Sequence, residues 1–211
     1  QSVFSTVWAP MVYKWASAGE GLENVRKVNR YILALVVLGF ALVGLLSWVV
    51  TLFLPANYAA VQWIVISCLG YPLLYTLSET TVVGIGISRR SSFSMLAAVS
   101  AFAVNLLGNW WLIPIFGAAG AAVSTCISFW VFFFLRTEFS IYLWKPMPRF
   151  LLYAFSLLSV VGASVTTLWG SAIQTWMTWY WFIMLGCWGV AFKDEVRGVL
   201  SFFSRKNRAE T

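Results

Sequence analysis

Asn105-Leu106-Leu107-Gly108-Asn109-Trp110-Trp111-Leu112-Ile113-Pro114 runs directly into Ile115-Phe116-Gly117-Ala118-Ala119-Gly120-Ala121-Ala122-Val123-Ser124-Thr125. No Asp, Glu, Lys or Arg occurs between residues 91 and 135. Pro114 and Gly117 are turn chemistry in the middle of that run. About 20 apolar residues cross a hydrocarbon core, and each side of the break supplies them. The stretch therefore predicts two membrane helices joined by a tight turn, over residues 92–113 and 116–135. Upstream, residues 59–87 predict another span. It carries Pro72, expected to kink it, and Glu79, and it ends in Ser88-Arg89-Arg90-Ser91.

The whole chain fits a lipid solvent. It has 211 residues, 61% hydrophobic and 10% charged, with mean hydropathy +0.82. Soluble domains carry about 25% charged residues. The formal net charge is +7, but the basic residues lie between apolar runs, which points to topology and not to nucleic acid. Cys68, Cys126 and Cys187 sit in apolar runs, and an odd number argues against a disulfide framework. Without histidine there is no histidine-based metal site or general base.

Further spans are predicted at 31–54, 149–169 and 175–192, and a partial one at 1–15, where Pro10 would kink the helix and Lys14 closes it. Residues 17–30 read as a short amphipathic helix at the membrane surface. The expected fold is an all-α bundle of six full spans plus one partial N-terminal span. All 14 basic residues fall in the first, third and fifth loops and the tail, with Arg136 in the fifth loop. The other loops, near residues 55–58, 114–115 and 170–174, have none. The positive-inside rule makes the basic side cytoplasmic, including the C-terminus. Tryptophans and tyrosines cluster near the uncharged loops, as an interfacial belt does.

Few residues carry chemistry. Glu79 is the only acid within an apolar run, ten residues before Arg89 and so about 15 Å deep at helical rise. A carboxylate there faces a partner or a wet cavity, either as glue between spans or as a proton, cation or substrate contact. Asn105 and Asn109 share one helix face and serve interhelical hydrogen bonding or a substrate. Gly117 to Ala121 and Gly120 to Ser124 are small-xxx-small pairs, which favour close helix contact. Arg89 and Arg90 signal topology, and at a cavity mouth would attract phosphate. No nucleophile–base pair, phosphate-cradling glycine loop or acidic metal cluster is present. Transport is expected rather than catalysis, without cofactor or metal.

The order of these motifs resembles the Wzx-type polysaccharide (O-antigen) flippases of the multidrug/oligosaccharidyl-lipid/polysaccharide exporter superfamily. Asn105 through Leu112-Ile113-Pro114, Gly117, Gly120-Ala121-Ala122 and Thr125 is similar to their Asn…Leu-Ile-Pro-x-x-Gly-x-x-Gly-Ala-Ala-x-x-Thr. Trp8-Ala9-Pro10-Met11-Val12-Tyr13-Lys14 and Gly84-Ile85-Gly86-Ile87-Ser88-Arg89-Arg90 resemble flanking patterns.

The resemblance implies the second lobe of an alternating-access transporter, with residues 1–145 in the lobe, 146–192 as two added helices and 193–211 as a cytoplasmic tail. It implies a lipid-linked oligosaccharide moved across the bacterial inner membrane. A missing N-terminal lobe, the bilayer and polysaccharide polymerase machinery are the implied partners. Lys14, Arg89, Arg90, Glu79, Asn105 and Asn109 are the candidates for substrate or coupling ion. No Lys or Arg is expected deep in a span. A cation-coupled multidrug exporter and a non-transporting scaffold subunit remain open beside it.

Overall fold

A computed structural model describes residues 8, 10–12, 14, 15 and 21–198. These residues form an all-α bundle. Helix α1 is Gly21–Leu46 and passes into a short 3-10 turn, Ser47–Leu52. Helices α2 (Val61–Cys68), α3 (Gly70–Thr81) and α4 (Val83–Ser88) follow one another. Then come α5 (Ser92–Phe116), α6 (Ala118–Leu143) and α7 (Phe150–Ala191).

Five segments are long and apolar enough to cross a membrane: Leu22–Leu52, Val61–Thr81, Ser92–Phe116, Ala118–Leu143 and Phe150–Ala191. Among the described residues the count is five, not six whole spans plus a partial one, with the kinked segment Phe150–Ala191 counted once. The partial span expected at 1–15 lies largely outside the described residues. The two C-terminal spans expected at 149–169 and 175–192 fall within one continuous segment, Phe150–Ala191, in which two helices meet at a kink.

That segment is broken at Ile173, where φ is −124° and ψ is 28°. Its two arms lie side by side. Tyr180 Oη donates to the Leu158 carbonyl at 2.7 Å, and Trp181 Nε1 donates to Thr166 Oγ1 at 3.2 Å. The rings of Phe155 and Phe192 are 5.3 Å apart. On a straight helix those two residues would be about 55 Å apart.

Other boundaries move for identifiable reasons. The amphipathic segment expected over 17–30 is continuous with the first span from Gly21 onward, because no glycine or proline occurs between residues 22 and 38. The span at 59–87 is interrupted twice. Pro72 lacks an N–H and its ring crowds the carbonyl four residues back, and the first break falls there, at Leu69. At the second, Gly84 N–H bonds to Ser140 Oγ at 2.8 Å, and a side chain inserted in the ladder breaks a helix.

Helix α5 does not stop before Pro114 but runs to Phe116. The chain reverses at Gly117, with φ 56° and ψ −129°, a backbone conformation that glycine reaches without a Cβ penalty. Helix α6 does not stop at Leu135 but continues to Leu143.

The core lies where α1, α3, α6 and α7 meet. Phe40, Leu74, Leu77, Phe133 and Trp181 are fully buried there. Helix α5 lies outside it and packs on α6, with Ala97 its one buried residue. Its many outward leucines and tryptophans suit lipid as solvent.

Candidate functional site

Helices α3–α4 and α6 run parallel in a fixed register. Thr81 Oγ1 meets Thr137 Oγ1 at 2.7 Å, and Gly84 meets Ser140, each pair 56 residues apart in sequence. Gly70 lies against Cys126, and 126 − 70 is again 56. A constant offset over this length means parallel axes, and glycines and hydroxyl residues permit the close approach.

An ion pair sits in this contact. Arg136 Nη1 donates to Glu79 Oε1 at 2.8 Å and to Ser78 Oγ at 2.7 Å. The side chains of Arg136 and Glu79 are 10% and 15% exposed, so water screens the pair little. The guanidinium carbon lies 4.8 Å from the Phe132 ring centroid and 5.9 Å from that of Tyr75, within cation–π range. Tyr75 and Phe132 stack on each other at 6.0 Å. Trp8 Nε1 donates to the Glu79 carbonyl at 3.0 Å. Among the described residues, Arg136 Nε is buried and has no acceptor.

This corrects the expectation that no Lys or Arg lies deep in a span. Arg136 was assigned to a loop because a charge commonly ends an apolar run. Residues 137–145 contain neither glycine nor proline, so the helix had no reason to stop, and that was the available signal.

The asparagines lie on the α5–α6 contact. Asn105 Nδ2 reaches Thr125 Oγ1 at 3.3 Å and Ser128 Oγ at 3.4 Å, and Asn109 Nδ2 donates to Asn105 Oδ1 at 3.0 Å. Ser124 Oγ donates to the Asn105 carbonyl at 2.9 Å. Gly108 lies on Ser124, and Gly120 lies on the Leu112 backbone. These pairings are antiparallel, as the turn at Gly117 requires. Gly108 was not foreseen; it stands between the two asparagines, on the same run. Gly117 has no neighbour where a Cβ would sit, so its role is the turn and not a helix contact. Pro114 is exposed and Ala121 half-buried.

Two cavities follow this face of α6. One, of about 400 Å³, is lined by Ala98, Phe102, Asn105, Thr125, Ser128 and Phe132 among others. The other, of about 330 Å³, is lined by Arg89, Ser91, Ser94 and Arg136 with Val82 and Gly86 among others. Phe132 belongs to the first and lies against Arg136, which belongs to the second. Asparagine, hydroxyl and aromatic groups in one cavity thus adjoin guanidinium groups in the next, and Glu79 reaches this face through Arg136. Arg89 is exposed with φ 53°, a left-handed C-cap to α4. Arg90 and Lys14 are exposed and do not line either cavity.

No protein-family model matches this sequence, and neither a curated protein nor a solved structure matches it. By helix length and composition the chain is a multi-pass membrane protein.

Proposed function

We propose that this chain is one helical lobe of a membrane transporter, and that the two neighbouring cavities along α4, α5 and α6 face the transported molecule. The Glu79–Arg136 pair carries this reading. An apolar pair of similar volume is often as stable as a buried ion pair, so stability alone does not account for the charges. Ionisable groups inside spans mark substrate or ion paths by default.

The chemistry of these cavities fits an amphipathic anion. Phe129 and Phe132 offer stacking faces, Asn105 and Ser128 offer hydrogen bonds, and Arg89 with Arg136 offers positive charge at one end. A lipid-linked oligosaccharide has the matching parts, sugar and phosphate. Together with the flippase-like motif order, this supports transfer of such a molecule from the cytoplasmic to the periplasmic leaflet of a bacterial inner membrane by alternating access, the other lobe closing the cavities. Glu79 already holds a cation in Arg136, which disfavours a cation-coupled multidrug exporter.

The test is Glu79→Gln in the full-length gene, expressed in a strain lacking its own oligosaccharide flippase. Glutamine keeps the shape and can still accept from Arg136. At matched protein level, surface polysaccharide is expected to fall at least tenfold, a change of about 1.4 kcal/mol if read as a barrier. Normal polysaccharide would reduce Glu79 to interhelical glue and remove this reading's main support.

Topology is proposed from charge. The basic segments lie in the cytoplasm, and the residues around Asn57, Ile115 and Ser171 lie on the opposite side. Single cysteines at those three positions, in a background lacking Cys68, Cys126 and Cys187, are expected to react with an impermeant thiol reagent in spheroplasts. A cysteine at Lys193 is expected to stay unreacted until the membrane is opened. Labelling at Lys193 without opening would reverse the assignment.

A further inference from the structure

On the other side of the α3–α6 contact lies a cavity of about 280 Å³ between α1, α6 and the start of α7. Arg26, Arg30 and Arg149 stand on its wall. Leu33, Ile141 and Leu152 make another part of the wall apolar, and the Thr81–Thr137 hydrogen bond borders it.

Asn29 lines the same cavity and is 8% exposed. Its Nδ2 has only the Met147 sulfur at 3.9 Å, a weak acceptor. Its Oδ1 is buried and, among the described residues, has no donor. A buried acceptor without a donor is costly, and Asn29 stands on the wall of this cavity.

The three arginines are not equivalent. Arg30 is held by Glu195 at 2.6 Å, and Arg149 by Glu138 at 3.3 Å. Arg26 Nη2 donates to the Pro146 carbonyl at 3.2 Å, and among the described residues no salt bridge holds Arg26, the nearby Glu23 being paired with Lys27. Arg26 is thus the least compensated of the three.

We propose that this cavity binds the head group of an anionic phospholipid that carries hydroxyls, of the phosphatidylglycerol class. The phosphodiester oxygens accept from Arg26, with Arg30 and Arg149 adding a favourable field. A head-group hydroxyl donates to Asn29 Oδ1. The glycerol ester region meets Leu33 and Leu152. Phosphatidic acid supplies the anion without the hydroxyl, and phosphatidylethanolamine adds an ammonium that three guanidiniums repel. The site is separate from those two cavities and does not depend on the transport reading.

The experiment is native mass spectrometry of the detergent-purified full chain, titrated with dioctanoyl phosphatidylglycerol, phosphatidic acid and phosphatidylethanolamine. Phosphatidylglycerol is expected to bind about tenfold more tightly than phosphatidylethanolamine. Arg26→Gln should weaken both anionic lipids; Arg26 is exposed, so that variant retains the fold. Asn29→Leu should bring phosphatidylglycerol down to the level of phosphatidic acid and leave phosphatidic acid unchanged. Equal binding of phosphatidylglycerol and phosphatidylethanolamine, or indifference to Arg26→Gln, overturns the proposal. Displacement of phosphatidylglycerol by glycerol 3-phosphate at equal concentration assigns the site to a soluble phosphate ester and overturns the lipid.

Discussion

Arg136→Leu is expected to lower the unfolding free energy by about 3–5 kcal/mol, the range seen when one partner of a buried ion pair is removed. Glu79 would be left among Ser78, Tyr75 and Phe132 with no cation. Its side chain is only 15% exposed, so water does not replace the guanidinium fully. The double variant Glu79→Leu/Arg136→Leu is expected to recover most of that loss, because no charge remains to desolvate. Denaturant unfolding in mixed micelles, followed by tryptophan fluorescence, measures both. A single variant as stable as the parent would show that the pair is open to water. If the double variant recovers stability but surface polysaccharide stays low, the charges serve transport; recovery of both would leave them a structural role only.

Gly120→Leu is expected to be the most damaging change on the α5–α6 hairpin. A Cβ at this position would run into the backbone carbonyl of Leu112, and backbone cannot rotate away as a side chain can. The two helices must separate, breaking the Ser124–Asn105 bond and exposing Gly108. Overpacking of this kind costs about 1–3 kcal/mol, and backbone contact places it at the upper end. Ala118→Leu, at an exposed position two residues earlier, is the control and should unfold with the parent. Equal loss in both variants would mean that bulk near the turn is the cause and not the contact with Leu112.

The apolar runs made most of the helices legible, because length and composition suffice for a span. The turn at Gly117 was legible within three residues, since Pro114 and Gly117 are both turn signals and only one of them carries the reversal. The ends of α1 and α6 were not. At both, a charged residue closes the apolar run, but nothing in the local sequence stops a helix there. Arg136 is the clearest case: its partner Glu79 lies 57 residues away, and local periodicity carries no trace of so distant a pairing. Glu79 itself was legible as a buried acid needing a partner. The break between the last two arms was legible too: residues 170–174 are small and polar, the kink falls at Ile173, and Tyr180 and Trp181 hold the two arms together.

The 56-residue offset between α3–α4 and α6 has a meaning for biosynthesis. Helix α3 leaves the ribosome before α6, in the least apolar of the five candidate spans. It carries Glu79, Ser78 and Thr81, whose side chains find their distant polar partners, Arg136 and Thr137, on α6. At about 5–20 residues per second, Arg136 emerges roughly 3–11 s after Glu79. During that interval the carboxylate lacks the counter-charge of α6, and bare lipid accepts an unpaired ion only at a cost. The hairpin of α5 and α6 is therefore more than the next two spans. Its arrival supplies the counter-charge that lets an earlier, marginal span settle in the bilayer.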